Sequence, residues 1–242
     1  MTMSILVIDV GGSNVKCLVT GETEPRVFES GPAMTPQRMV AQVSELTADW
    51  SYDAISIGYP GPVSRGSAAR DPHNLGEGWV AFDFATAFGR PVRIINDAAM
   101  QALGSYDGGH MLFLGLGTGL GAAMVIDGIV HPLELAHLPF RKGRTYEDAV
   151  GERGLKRMGK RKWRKVVREV LDLFHEGLLP DSIVVGGGNA KKLDDLPPYA
   201  VPGHNANAFR GGFMLWSSTA VQAVPSAPLV GPVTGMTKPE PI

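Results

Sequence analysis

Three short glycine clusters, each closing an apolar run, carry the first chemical signal: Gly11-Gly12-Ser13, Gly117-Thr118-Gly119 with Gly121, and Gly186-Gly187-Gly188. Glycine permits a turn with positive φ and lets a ligand come close to the main chain. The N–H groups exposed in such turns form concave anion sites, and the hydroxyls of Ser13 and Thr118 add donors. That chemistry suits a chain of phosphates. No cluster is followed by Gly-Lys-Ser/Thr, and Gly117 to Gly121 runs on into a predicted strand, so neither a P-loop nor a dinucleotide fingerprint is present. Ordinary hairpin turns are the competing reading of any one cluster.

Carboxylates stand beside these turns. Asp9 ends the first apolar run, and a carboxylate next to a phosphate site is unfavourable unless a cation intervenes, which points to Mg2+. Asp9 capping its own turn is the alternative. Lys16 faces either a phosphate or solvent. Asn96-Asp97 ends the run Val92 to Ile95, where ligands bind in open α/β sheets. Asp97 is the candidate general base for a hydroxyl attacking phosphorus, or else the N-cap of the helix beginning at Ala98. Glu134 and His137 suit paired recognition of vicinal hydroxyls, but a surface pair or half a metal site fits them too. The same two-sided reading covers Asn74, Trp79 and Asp83.

The elements that must position these groups alternate between strands and helices. Ser4–Val10, Val15–Thr20 and Arg26–Glu29 read as a three-stranded meander, Thr35–Trp50 as a helix capped by Thr35, and Ala54–Tyr59 as a buried strand. Residues 61–79 form a long Gly/Pro/Asn/Ser loop of the kind that is often functional. The pattern then restarts about 105 residues after the first turn: Met111–Leu116 enters the second turn, and Ala122–Ile126 leaves it. A helical stripe from Trp163 to Leu178, a strand Ser182–Val185 and a helix Asn207–Trp216 follow. Two similar α/β lobes facing one cleft are expected, over residues 1–106 and 107–216. Residues 217–242, rich in proline and small residues, read as a disordered tail.

The single cysteine, Cys17, excludes an internal disulfide framework and a cysteine-rich zinc site, and reads as a buried strand residue. No signal peptide or apolar run of membrane-spanning length is seen, so a cytoplasmic protein is expected, with no membrane partner. The net charge of −1 argues against the whole chain binding nucleic acid. The charge is nonetheless segregated. From Arg141 to Arg168, twelve Lys/Arg meet three Asp/Glu, a net +9, while the eleven Lys/Arg and twenty-one Asp/Glu elsewhere give −10. A solvated helix face, a site for polyphosphate, and a site for nucleic acid or another acidic partner all remain open.

Taken together, Asp9-Val10-Gly11-Gly12-Ser13-Asn14-Val15-Lys16, Gly58-Tyr59-Pro60-Gly61-Pro62-Val63, Asn74-Leu75 with Gly78-Trp79, Asn96-Asp97-Ala98, Leu116 to Gly121, Glu134-Leu135-Ala136-His137 and Gly186-Gly187-Gly188 resemble the ROK family of sugar kinases. The similarity is greatest to its polyphosphate-dependent glucokinase branch, which shares the lack of a cysteine-rich zinc motif after Glu-x-x-His. Ala136 stands where the family has glycine. The resemblance implies an actin/hexokinase-like (ribonuclease H-like) two-lobed fold with a central cleft. It implies Asp97 as the base for a hexose 6-hydroxyl, Asn74, Asn96, Glu134 and His137 as sugar ligands, the first two glycine turns as donor-phosphate sites, and Mg2+ near Asp9. Glucose as acceptor, polyphosphate or ATP as donor, and a homodimer follow from it. An ATP-dependent kinase of mannose or an N-acetyl amino sugar, and a non-catalytic sensor of sugar or polyphosphate, are the alternatives.

Overall fold

The structure is a computed structural model, and it describes residues 3–204 and 206–217. The expected tail from 218 onward lies outside the described residues. The chain begins with β1 (Ile5–Val10), β2 (Asn14–Val19), β3 (Arg26–Glu29), α1 (Pro36–Leu46), β4 (Ala54–Tyr59), the short hairpin β5 (Val63–Ser64) and β6 (Ser67–Ala68), α2 (Phe84–Phe88) and β7 (Val92–Asn96). After α3 (Asp97–Ser105) come β8 (His110–Leu116), β9 (Leu120–Ile126), β10 (Ile129–Leu133), α4 (Tyr146–Val150), α5 (Glu152–Met158), α6 (Lys160–Leu178), β11 (Ser182–Gly186), β12 (Ala200–Pro202) and α7 (Asn207–Met214).

Two five-stranded sheets result, ordered β3-β2-β1-β4-β7 and β10-β9-β8-β11-β12. Both follow one plan: an antiparallel meander whose first strand becomes the centre, then two strands added parallel on its other side. The restart seen in the sequence is thus a repeated strand order.

Side-chain alternation along the central strands sorts the core into three layers. Leu6, Ile8 and Val10 face α1 and the aromatic group of Tyr59, Trp79 and Phe84. Ile5 and Val7 point the other way, into a layer built from α3 and α7. Asp9 continues that second set, so the pleat alone turns its carboxylate toward α3. In the second sheet Leu112, Leu114 and Leu116 face α6, whereas Met111 and Phe113 join the same middle layer. Cys17 lies in the first core, where burial pushes its thiol up to about 12, an inert group.

Helices cross between the sheets. α3 follows the first sheet in the chain but packs on β8 and β9, and α7 returns to cover β1 and β4. The two helices meet backbone to backbone: a Cβ on Gly104 would overlap the Asn207 carbonyl, and one on Gly211 the Met100 carbonyl. Gly212 lies against Val7 and accepts the Ser56 hydroxyl at 2.6 Å, while the Trp216 indole donates to Ser56 at 2.9 Å.

Two helices are shorter than their patterns predict. α1 stops at Leu46, not Trp50, because the Thr47 hydroxyl folds back on the Val43 carbonyl (2.8 Å) and a tight turn follows. α7 ends at Met214, before Trp216. Among the described residues, no helix is long and apolar enough to cross a membrane.

Candidate active site

The C-terminal ends of β1, β4, β7, β8 and β11 converge on the start of α3. Asn96, and not Asp97, is the N-cap: its Oδ1 accepts the Ala99 N–H at 3.1 Å. Its amide donates to the Gly61 carbonyl (3.1 Å) and to Asp97 Oδ1 (3.2 Å), so every hydrogen-bonding group of Asn96 is spent inside the protein. Asp97 Oδ1 also accepts the Ala98 N–H at 2.8 Å, whereas Oδ2 has no protein partner among the described residues. Asp97 is half-buried. Burial first, then the charge of Asp9, and last that of Glu134, push its carboxyl up to about 7, against the pull of the Ala98 amide. A carboxylate in that range takes a proton near neutral pH.

Asp9 lies across from Lys16 in the β1–β2 ladder. Burial raises its carboxyl, and Lys16 partly offsets this. Glu134 and His137 sit on the exposed rim after β10, bracketing a single turn of 3-10 helix, with Oε2 and Nε2 3.5 Å apart. Ala136 between them points into the second core and fills space there. Asn74 is exposed but close to the first turn: a Cβ on Gly12 would stand 3.2 Å from the Asn74 Cβ. Trp79 and Asp83 have structural duties. Trp79 is fully buried, its backbone N–H donating to Asp71 Oδ1 at 2.8 Å, and Asp83 caps α2.

The three glycine turns share one property: among the described residues, no protein acceptor takes the N–H groups of Gly12 and Ser13, of Thr118 and Gly119, or of Gly187 and Gly188. Their carbonyls, by contrast, are pinned. The Ser30 hydroxyl donates to Gly11 O at 2.6 Å, the Asn189 amide to Gly117 O at 2.9 Å, and Glu152 N–H to both Gly117 O and Thr118 O. Each turn therefore presents two free donors on a fixed frame, as an anion cradle requires. The second and third turns are neighbours, since β8 and β11 pair Gly115 with Gly186. Asp9, at the entry to the first turn, and Met100 of α3 both lie against Gly58, and a Cβ on Gly121, just past the second turn, would come within 2.8 Å of Ala98 Cβ on the same helix.

Sequence reasoning passes over Asn189 and Ser30. Asn189 directly follows the third glycine cluster and is buried, a legible signal. Ser30 lies at the end of a neighbouring strand, and only the fold brings it to Gly11.

The profile of the ROK family matches residues 5–132 of this chain. The polyphosphate glucokinase of Mycobacterium tuberculosis (strain CDC 1551 / Oshkosh) is 28% identical over 212 residues, spanning 79% of this chain and 80% of that protein. The crystal structure of inorganic polyphosphate/ATP-glucomannokinase from Arthrobacter sp. strain KM has a TM-score of 0.75 at 23% identity, covering 87% of this chain and 97% of that one. A ROK family glucokinase from Streptomyces griseus, solved with glucose and AMPPNP, has a TM-score of 0.68 at 16% identity, covering 86% and 97%. The fold is the actin/hexokinase-like α/β fold, as the resemblance implied.

Proposed function

The chain belongs to the ROK family and is a sugar kinase, and we propose that it transfers a phosphoryl group from polyphosphate or ATP to the 6-hydroxyl of glucose. The observation that carries this reading is Asp97: a half-buried carboxylate with one oxygen fixed by two donors, the other open, and an affinity for protons raised by its surroundings. A sugar hydroxyl attacks phosphorus as its proton leaves, and Asp97 Oδ2 is the acceptor for that proton.

Glu134, His137 and Asn74 hold the sugar hydroxyls. Asn96 acts through Asp97, because its own amide is spent on Gly61 and Asp97. The donor phosphates lie on the free amides of Gly12-Ser13, Thr118-Gly119 and Gly187-Gly188, with Lys16 beside them. Asp9 offers hard carboxylate oxygens beside the first turn, a donor that fits a divalent cation such as Mg2+. Among the described residues no three His, Cys, Asp or Glu side chains form a closed metal site, and Mg2+ is commonly held by one or two carboxylates together with substrate phosphates. Bound there, Mg2+ neutralises charge on the transferring phosphoryl group.

Gly119→Ala separates donor binding from folding. The added Cβ would press on the end of the Glu147 side chain, 3.1 Å from its Cδ, and that side chain can give way at the cost of its exposed ion pair with Arg153. The melting temperature should therefore change little, while the methyl and the displaced Glu147 carboxylate crowd the free N–H groups of the turn, so that the donor KM rises about tenfold, the weight of one hydrogen bond to a charged group, and the glucose KM stays put. Initial rates against each substrate, beside a thermal melt, decide this; an unchanged donor KM removes the second turn from the donor site.

The test of the whole reading is glucose 6-phosphate formation from glucose and Mg2+, with ATP and long-chain polyphosphate as separate donors. Product with either donor supports it. No product with both, repeated across a panel of hexoses, leaves a protein that binds sugar or polyphosphate without turning it over.

A further inference from the structure

The first turns of α6 carry charge that the fold itself does not use. Of the cations between Arg141 and Arg168, five (Arg141, Arg153, Lys156, Arg164 and Arg168) have carboxylate partners, and Arg157 donates to the Asp148 carbonyl. Lys142, Arg144, Lys160, Arg161, Lys162 and Lys165 have no carboxylate partner among the described residues. Four of these six fall within Lys160–Lys165, and all four are exposed. Neighbouring cations repel, and cations at the start of a helix oppose its dipole. Yet α6 opens with no acidic residue and no side-chain cap. Among the described residues no carboxylate pairs with the cluster, which leaves it open to a counter-charge from outside.

The cluster's position says what the counter-charge is continuous with. Trp163, in the middle of it, is buried, and its indole donates to Val150 O at 2.8 Å. The next residue, Gly151, packs so tightly on the second glycine turn that a Cβ there would stand 2.9 Å from the Thr118 carbonyl. From that turn α5 runs for about 10 Å before α6 begins. The basic stretch starts at the edge of a donor turn and leads away from it.

We propose that Lys160, Arg161, Lys162 and Lys165 form an exosite for the trailing phosphates of a linear inorganic polyphosphate whose terminal phosphates lie on the glycine turns. This rests on the sugar-kinase reading above. A triphosphate is too short to bridge α5, so the exosite serves the polymer alone. Sites for single-stranded nucleic acid add aromatic side chains on which bases stack. Here Trp163, the one aromatic residue between Arg153 and Arg168, is buried. A flexible cationic track without stacking surfaces suits a polymer that has no bases.

The test is the variant carrying Lys160→Gln, Arg161→Gln, Lys162→Gln and Lys165→Gln, substitutions that keep helix propensity. Its KM for long-chain polyphosphate should rise about tenfold or more, and the salt dependence of polyphosphate affinity should weaken by roughly 0.7 in log–log slope per cation lost. kcat/KM with ATP or tripolyphosphate should stay within about twofold of wild type. Direct titration with fluorescently labelled polyphosphate reads the affinity without turnover. Unchanged affinity and salt slope overturn the exosite even if the enzyme is active. If wild type binds the labelled polymer but phosphorylates no hexose from any donor, the kinase reading fails and the exosite stands. Equal loss of affinity for polyphosphate and for single-stranded DNA of matched charge, bound equally well by wild type, overturns the assignment to polyphosphate.

Discussion

Replacing Asp97 by asparagine is expected to lower kcat by about 10²–10⁴-fold, the usual contribution of a positioned general base, while glucose still binds. The amide keeps an oxygen for the Ala98 N–H and the same shape, but it cannot take a proton. One altered hydrogen bond costs about 0.5–1.5 kcal/mol, so glucose affinity should move by roughly tenfold at most. Stability should change in the opposite direction. The Asp97 carboxyl is raised from its ordinary 3.8 to about 7 by burial and by Asp9. The folded state therefore holds its proton more tightly than the unfolded chain, and wild-type stability falls as pH rises from about 4 to about 7. Asparagine has no charge to bury. In EDTA at pH 8 the variant should melt higher than wild type, with about 2–4 °C for each kcal/mol regained, and the gap should close below pH 4. A variant that keeps kcat within tenfold removes Asp97 from the role of base, and one that melts lower at pH 8 overturns the cost of its buried charge.

The second large effect concerns no site residue. Gly211→Ala should lower the melting temperature by about 6–12 °C. The new methyl would overlap the Met100 carbonyl and stand 2.9 Å from its carbonyl carbon, and no rotamer moves a Cβ away from a backbone. α3 and α7 must separate, at about 3 kcal/mol, the upper end of common overpacking costs. Because α3 carries Asp97 at its first position, kcat should fall as well, since small misplacements of reacting groups are costly. Gly177→Ala in α6 is the control. It meets nothing within 4 Å, and by helix propensity should stabilise by about 0.8–1.0 kcal/mol. If the two variants melt alike, the crossing is not the tight contact described.

Much of the architecture was legible in local pattern. A run such as Ile5–Val10, apolar except for Asp9, announces a strand covered on both faces, and β1 is central in its sheet. The glycine turns appear where the apolar runs end. Asn96-Asp97 could not be apportioned from the letters, since both residue types cap helices; the roles divide because Asn96 reaches Gly61, thirty-five residues earlier in the chain. The extent of α1 is not announced by a helix breaker; a threonine hydroxyl bonded back to Val43 O marks its end. The destination of α7 has no local signature at all. Gly211-Gly212 lowers helix propensity, and both glycines are explained only by partners far away, Met100 for one and Val7 and Ser56 for the other. The basic stretch was countable in sequence, but which of its cations are free depends on where Glu169, Asp194 and Asp172 fall in space.

The return of α7 to β1 and β4 also sets a timetable. Val7 and Ser56 leave the ribosome early, yet the helix that covers them is built from Asn207–Met214. At synthesis rates of about 5–20 residues per second, a finished first sheet waits on the order of 10 s with the part of its inner apolar face that α7 covers still bare. During that interval the nascent chain is a substrate for holding chaperones, and its safe passage depends on how long Ile5, Val7 and Leu18 can be kept from other chains.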